Sequence, residues 1–405
     1  MRKKDLAVFT VCNIAYLNKT MVLADSVYQH QGIKTNIFII DGKRDIDWGK
    51  ENFCTLHWIE DYNVPDFESL AFKYDIIELS TCLKPFIAKY LLQDYEKVIF
   101  FDPDVMTFSS LTPIEKELDC HPVVLTPHYF TPKKNGDIND WRLMKFGYHN
   151  LGFFAVRNDD KALNFLEWWS DRCFTDCYND PQFGIFTDQK WINLAIGFFP
   201  FVYTSLNPGY NVAFWNIDQR KIEFINGKYI VDGVPLVFMH FSAFNMEKPQ
   251  QLSRRSFELG ENSKAIIEKL AKEYKDAIDE NDKSVRIADK SYSYDFMTDG
   301  TYVTPLLRRA YGAKIEMLKS ALSPFDINGE VAEFGRKNGL IRKNTKKYVA
   351  KGYNDLVKKD VQRKMNLLFR IMRIVLRFIG PNNYMNLSRL MVYLSGYNRL
   401  PQMWK

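Results

Sequence analysis

Lys97-Val98-Ile99-Phe100-Phe101-Asp102-Pro103-Asp104 decides the fold of this chain. The run from Val98 to Phe101 shows no polar alternation, as expected of a strand buried on both faces. Directly after it, two carboxylates flank Pro103, which lacks a backbone donor and stiffens the turn. Past the end of a strand side chains need not alternate, so Asp102 and Asp104 can address one cation. Hard oxygen ligands suit Mg²⁺ or Mn²⁺, and such an ion neutralises a diphosphate. The same pair also reads as a plain acidic turn after a strand, and on its own the pattern leaves both readings open.

Outward from this strand the chain alternates. Residues 6–12 form a second unbroken apolar run, and residues 18–30 read as a helix with Met21, Val22, Leu23 and Val27 on its apolar side. Residues 35–40 are another strand, ended by the turn signal Asp41-Gly42. Ser80 reads as the cap of a helix that turns Leu83, Phe86, Ile87, Tyr90 and Leu91 inward at spacings of three and four. Further strands are expected at 123–125, 151–156 and 234–240, and helices at 161–171 and 189–196. This alternation predicts an α/β protein with a mainly parallel sheet flanked by helices. Ligands bind beyond the carboxyl ends of such strands, a rim that collects Thr10, Cys12, Asn13, Asp41, Asp102 and Asp104. Near residue 250 the texture changes to a charged amphipathic helix (263–278), a polar linker (279–290) and a basic, mostly helical C-terminal region.

Residues 97–104 resemble the strand followed by Asp-x-Asp that marks GT-A-fold glycosyltransferases. Four more elements follow in the order found in the retaining enzymes similar to glycogenin and to bacterial lipopolysaccharide galactosyltransferases. His149-Asn150-Leu151-Gly152 resembles their Asn-x-Gly strand start, and Thr187-Asp188-Gln189 their Asp-Gln helix start. Met239-His240-Phe241 lies where they carry a metal-binding histidine, and Lys248-Pro249 matches their phosphate-contacting Lys-Pro. Two departures stand out: Pro103 replaces the commoner Ala or Thr, and Ala243 replaces the glycine of His-x-x-Gly.

The resemblance implies a Rossmann-like GT-A catalytic domain over residues 1–250 and a separate basic region over 251–405. It implies a hexosyltransferase that moves a sugar from a nucleotide-sugar, UDP-linked, to a glycan or lipid-linked glycan in bacterial surface polysaccharide synthesis. It further implies retention at the anomeric carbon and a Mn²⁺ or Mg²⁺ held by Asp102, Asp104 and His240. Asn150 and Gly152 face the donor sugar, and Lys248 meets phosphate. Lys84 pairs with phosphate or with Asp102, or is an ordinary surface lysine. Asp188 orients the donor or acts as nucleophile, and also serves as N-cap of the helix after it. Gln189 stabilises an oxocarbenium-like state in a front-face transfer. His240 alone also reads as a satisfied strand-end histidine. Tyr210, Phe214 and Trp215 read equally as a sugar-stacking wall or as core. Two rivals share these features. A nucleotide-sugar hydrolase or pyrophosphorylase also needs carboxylate-held metal, but residues 8–20 lack the glycine-rich loop a triphosphate wants. A non-catalytic, membrane-associated glycan-binding scaffold has no need of an intact Asp102, Asp104 and His240.

Bulk composition fits this picture. Apolar residues make up 46% and charged residues 26% of 405, values of a globular protein, and no run reaches the ~20 apolar residues of a membrane-spanning helix. The net charge of +6 hides an asymmetry: residues 330–405 hold 17 Lys and Arg against 4 Asp and Glu, so the preceding body is net acidic. Arg363, Arg370, Arg373 and Arg377 form one stripe of a largely apolar helix ended by Gly380-Pro381. Such a helix suits an anionic membrane surface, with Lys358, Lys359 and Lys364 beside it, and equally the core of a helical domain. Nothing else points to nucleic acid. Only Cys173 and Cys177 are close among six cysteines, and they lack the second pair of a structural zinc site. The basic, apolar N-terminus reads as a first strand, interrupted by Asp5 and Asn13 and lacking a cleavage site. The expected location is the cytoplasm, peripheral on the inner face of the plasma membrane.

Overall fold

The computed structural model describes the chain apart from residues 1–2, 49–51, 136–137, 254–260, 286, 288, 319–321, 343–344, 348–358, 397–398, 400–402 and 404–405. Contacts divide it into two units, Met1–Tyr294 and Asp295–Lys405.

The first unit is built on β1 (Lys4–Cys12), β2 (Thr35–Ile39), β3 (Cys54–Trp58), β4 (Tyr95–Phe101), β6 (Val123–Pro127), β7 (His149–Arg157) and the short strand Val202–Thr204. A further short strand, β5 (Val105–Thr107), follows β4 directly. The sheet order is Val202–Thr204, β6, β7, β4, β1, β2, β3. All neighbours run parallel except β7, which is antiparallel to both β4 and β6. The α/β fold with a mixed, mainly parallel sheet is the one expected. Val98 to Phe101 are fully buried, and so are Val8, Phe9, Ile37, Phe38 and Ile39, which explains their unbroken apolar runs. Reversal of β7 has one functional result: its first residues, His149 to Gly152, stand at the carboxyl ends of β4 and β6.

Helices cover both faces. They are α1 (Leu17–Gln31), α2 (Phe67–Lys73), α3 (Ile76–Cys82), α4 (Lys84–Leu91), α5 (Thr112–Cys120), α6 (Asp140–Phe146), α7 (Asp160–Thr175), α8 (Ile192–Phe198) and α9 (Glu261–Ser284). Four local expectations need correction. Ser80 caps nothing: it lies inside α3, whose N-cap is Asp75 in a capping box with Glu78. Pro85, unable to donate, opens α4 as a separate helix. Asp188 does not cap α8, which starts at Ile192, because its carboxylate is turned to Lys84 instead. The strand 234–240 is broken: Val234–Pro235 joins a small three-stranded sheet, while Phe238–His240 pairs antiparallel with β5. Finally, α9 runs through the expected linker to Ser284, supported by Lys272–Asp276 and Lys275–Asp279 pairs four residues apart.

Ile267, Leu270, Ala271, Tyr274 and Ile278 of α9 are fully buried in one cluster with Trp215, Met239, Phe241 and Phe244. At ~1.5–3 kcal/mol per large apolar side chain, this seam ties α9 firmly to the sheet edge. The described residues from α9 to Tyr294, which the sequence groups with the basic region, therefore fall in the first unit.

In the second unit, α10 (Pro305–Leu318) and α11 (Glu330–Lys337) pack through Leu307, Ala310, Tyr311, Val331 and Ala332. Buried Asp295 holds Arg308 at 3.3 Å and Lys347 at 2.6 Å. Then come α12 (Lys359–Ile379) and α13 (Pro381–Ser395), broken at Gly380 as expected. Lys358 lies outside the described residues.

Candidate functional site

β4 ends at Phe101, and β5 resumes at Val105, so Asp102-Pro103-Asp104 is the hinge between two strands. The register of the β5 ladder sets His240 opposite Val105, and Phe241 N–H donates to Asp104 C=O at 2.8 Å. That ladder brings the imidazole to the carboxylates. His240 Nε2 stands 3.0 Å from Asp104 Oδ1 and 3.9 Å from Asp102 Oδ2. One ligand atom from each of the three lies within 4.8 Å of the others. Burial opposes the charged form of His240, but the Asp104 carboxylate outweighs it and raises the imidazole's pKa. Burial likewise pushes the Asp104 carboxyl up, and the imidazole overrides that and lowers it. Two hard oxygens and one imidazole fit Mn²⁺ or Mg²⁺, with room for phosphate oxygens in the remaining positions.

Gly152 completes this seat by having no side chain. It lies across from Asp102, whose N–H donates to its C=O at 2.8 Å. A Cβ built there would stand 2.4 Å from His240 Cε1, so only glycine leaves space for the ring. Trp215 closes the other side of His240, ring centroids 5.1 Å apart. Tyr210, Phe214 and Trp215 are all buried, and so form core behind the histidine and no wall for a sugar.

Lys84 is the second centre. It is 3% exposed, and its Nζ lies 3.1 Å from Asp102 Oδ1 and 3.4 Å from Asp188 Oδ2. It also donates to Leu151 C=O at 2.8 Å, which spends its third proton on the start of β7. Burial penalises its charge, yet the Asp102 and Asp188 carboxylates overcome this and raise its pKa. Asp188 is buried on all sides, and burial pushes its carboxyl up to about 7 against the pull of Lys84. Thr187 supports it from a left-handed backbone (φ 45°), its Oγ1 donating to Asp188 Oδ1 at 3.1 Å. Trp169 Nε1–H donates to Asp188 C=O at 3.1 Å.

Gln189 bonds backbone groups through both ends of its amide. Its Oε1 accepts from Leu151 N–H at 3.1 Å and its Nε2 donates to Phe146 C=O at 2.9 Å. Both ends of the amide therefore hold the chain entering β7. Asn150 Oδ1 accepts from Gly152 N–H and from Asn211 Nδ2, and its own amide faces His128 Nε2 at 3.4 Å.

This arrangement can bind a diphosphate and offer one buried acid beside it. Residues 7–178 match the sequence model of glycosyl transferase family 8. That segment is a glycosyltransferase domain. Asp188, Gln189 and His240 lie beyond the matched segment of the glycosyltransferase domain, so their placement rests on the geometry above. The chain is 30% identical over 177 residues to the uncharacterized protein YfnF of Bacillus subtilis, covering 42% of this chain and 58% of YfnF. The chain thus spans less than two thirds of that relative's length. It is 24% identical over 252 residues to the uncharacterized protein YfnD of the same organism, 58% of this chain and 77% of YfnD. Among solved structures it is similar to galactosyltransferase LgtC in complex with donor and acceptor sugar analogs, at 14% identity and a TM-score of 0.41, covering 70% of this chain and 97% of LgtC.

A cleft of about 270 Å³ opens beside Asp102 and Lys84 in the glycosyltransferase domain, bordered by Cys12, Asn13, Ile77 and Thr81. Asn13 and Cys12 thus reach the rim as expected, with the Cys12 thiol pushed up to about 12 by burial. Thr10 is fully buried and its Oγ1 has no partner. Asp41 is not on this cleft. Its carboxylate accepts from Ser293 N–H and Oγ–H at 2.9 Å each and from Ile14 N–H at 3.2 Å, a closed structural knot. Lys248 is exposed; its backbone N–H donates to Asn245 Oδ1 at 3.2 Å and its C=O accepts from Gln251 N–H at 2.9 Å. Ala243 takes the left-handed turn (φ 54°) that glycine would occupy without strain. Sequence reasoning missed Ile77, Trp169 and Asn211. Only Asn211, in a turn-rich segment and at φ 49°, carried a readable signal.

Burial lowers the pKa of His128 and of His149 to about 4 each, so both are neutral in the folded glycosyltransferase domain. Between pH 6.5 and 4 the unfolded chain binds a proton at residue 149 that the folded chain refuses. This costs stability as pH falls. His149→Gln removes the cost. Its stability deficit against the parent should shrink by about 2 kcal/mol from pH 7 to pH 5, read by urea unfolding. An unchanged deficit would show that His149 is already protonated in the fold.

Proposed function

We propose that this protein is a metal-dependent, retaining glycosyltransferase that moves a hexosyl group from a UDP-sugar to a glycan or lipid-linked glycan in bacterial surface polysaccharide synthesis. The observation that carries it is the meeting of Asp102, Asp104 and His240 with the buried Lys84–Asp188 pair. A Mn²⁺ or Mg²⁺ held by the three ligands would supply positive charge to the departing diphosphate. Lys84 adds a fixed cation at the same place, desolvated and already oriented, where charge builds during bond breaking. Asp188, buried and held by Thr187 and Lys84, would supply the carboxylate that stabilises positive charge at the anomeric carbon once the donor fills the site. Gln189 acts as a positioning residue through Leu151 and Phe146. The glycosyl carbon leaves the diphosphate oxygen and bonds to the acceptor hydroxyl oxygen, whose proton departs with the nucleoside diphosphate.

The test is release of nucleoside diphosphate from UDP-glucose and UDP-galactose with Mn²⁺, without acceptor, followed by NMR of the transferred product. The expected results are metal-dependent release from one donor and an α-linked product. No release from any nucleotide-sugar would refute the enzymatic reading, and a β-linked product would refute retention alone.

The acceptor side of the proposal extends to an anionic membrane surface. No helix among the described residues is long and apolar enough to cross a membrane. Residues 361–405 contain no Asp or Glu, and Arg363, Arg370, Arg373 and Arg377 are all exposed on α12. Beside them Leu367, Phe369, Ile371, Ile374 and Phe378 are exposed, as are Met385, Leu390, Met391 and Tyr393 of α13. Replacing Arg370, Arg373 and Arg377 by Gln should cut binding to phosphatidylserine-rich vesicles about 100-fold, near 1 kcal/mol per charge. Binding should also weaken as salt rises, since the attraction is screened over ~8 Å at physiological strength. Equal sedimentation of parent and variant at low salt would refute a membrane role for the stripe.

A further inference from the structure

Metal-binding histidines almost always donate their second ring N–H to an acceptor, which orients the imidazole. His240 is built otherwise. Its Nε2 faces Asp104 at 3.0 Å, while its Nδ1 is buried and has no hydrogen-bond partner among the described residues. The ring is instead held by what it packs against, the Gly152 backbone on one side and Trp215 on the other. A Cβ on Gly152 would stand 2.6 Å from His240 Nδ1 and 2.9 Å from Asn150 Oδ1, so ring, glycine and amide oxygen crowd around one point. Whatever fixes Asn150 and Gly152 therefore fixes the ring.

We propose that Asn211 does so, as a positioning residue for the metal seat, an inference that rests on the metal-dependent reading above. Asn211 is fully buried in a left-handed turn (φ 49°), a backbone that asparagine adopts more readily than most side chains. Its Nδ2 donates to Asn150 Oδ1 at 3.1 Å and to Thr126 Oγ1 at 3.0 Å. Asn150 Oδ1 in turn accepts from Gly152 N–H at 3.2 Å. The far end of Asn150 has one role as well. His128 Nδ1 faces Tyr148 C=O at 3.1 Å and so carries the proton, which leaves His128 Nε2 as the acceptor for the Asn150 NH₂ at 3.4 Å. The next residue reaches the strand of the ligand itself: Val212 C=O accepts from His240 N–H at 2.8 Å. Asn216 locks the turn, its Nδ2 donating to Asn211 C=O at 2.9 Å and to His128 C=O at 2.8 Å. Asn211 thus joins the strand that carries His240 to the chain that shapes its seat. Ligand geometry must hold to within ~0.5 Å, so loosening this tie costs metal affinity before it costs the fold.

Titration calorimetry of the full chain with Mn²⁺ tests this, with urea unfolding of each variant alongside. Asn211→Gly keeps the left-handed backbone without strain and deletes the amide. It should weaken Mn²⁺ binding about 10–100-fold, and Asn211→Ser, too short to reach Asn150, should do the same. Asn150→Ala should lose affinity to a similar degree, and Asn211→Gly/Asn150→Ala no more than either alone, because both break one connected chain. Thr126→Val removes the other partner of the same amide and should bind Mn²⁺ like the parent. Parent-like affinity in Asn211→Gly, additive loss in the double variant, or equal loss in Thr126→Val would each overturn the inference. Failure of both Asn211 variants to fold would also overturn it, since the amide would then be structural. A parent protein that binds neither Mn²⁺ nor Mg²⁺ would refute the metal-dependent reading itself, whereas binding that ignores Asn211 refutes this inference alone.

Discussion

Lys84→Met should abolish metal-dependent turnover, by about 10³-fold or more, and remove about 1–3 kcal/mol of stability at pH 7. The two losses have one cause. Lys84 is the only cation within 4 Å of either Asp102 or Asp188 among the described ion pairs apart from His240, and both its own side chain and that of Asp188 are almost wholly buried. Methionine fills the volume but leaves Asp188 buried without its counter-charge. The sign of the pH effect follows. Burial already holds the Asp188 carboxyl up at about 7, above its unfolded value, so its ionised form is penalised at higher pH and the penalty fades as pH falls. Without Lys84 the carboxyl is held higher still, so the variant's deficit should be larger at pH 9 than at pH 6. Urea unfolding at the two values measures it. A deficit that is constant with pH would mean that Lys84 stabilises by packing alone.

Asp104→Asn should lower Mn²⁺-dependent release of nucleoside diphosphate by about 10²–10³-fold. The amide keeps the hydrogen bond to His240 Nε2, now at 3.0 Å from Asp104 Oδ1, but loses the negative charge that a cation needs. Asp104→Ala is a harsher change. The Asp104 side chain is 19% exposed and paired to a buried imidazole. The alanine variant should therefore also lose about 1–3 kcal/mol, the cost of leaving a buried polar group unsatisfied. Titration calorimetry with Mn²⁺ separates binding from turnover: parent-like Mn²⁺ affinity in Asp104→Asn would remove Asp104 from the ligand set.

What could be read from the chain follows the range of each interaction. The strands were legible because burial on both faces writes itself as unbroken apolar runs, in residues 6–12 and 97–101 alike. Asp102 and Asp104 were legible because a strand end and its charges are neighbours in sequence. His240 could be placed only by resemblance, since its partner strand β5 is three residues long and carries no pattern. The role of Lys84 stayed open in sequence because nothing local says that a lysine next to a proline is buried. Gln189 and Asp41 show what distant contacts add. Each sits where a rim residue belongs, but backbone amides from elsewhere, Leu151 and Ser293, have claimed its side chain. Ser80 was misread because Asp75 and Glu78 hold the stronger cap a few residues earlier.

The short ladder between β5 and Phe238–His240 fixes when the site comes into being. During synthesis the amino-terminal part of a chain emerges first, at ~5–20 residues per second. Asp102 and Asp104 are thus made, and can be set side by side by β4, many seconds before His240 leaves the ribosome. In that interval two carboxylates share one hinge with no imidazole between them. Lys84, already synthesised and already on α4, is the group that can neutralise Asp102 while the rest of the domain is still arriving. A nascent chain halted before residue 238 would hold a compact sheet with a two-carboxylate half-site, and capture of Mn²⁺ would become a marker for completion of the domain.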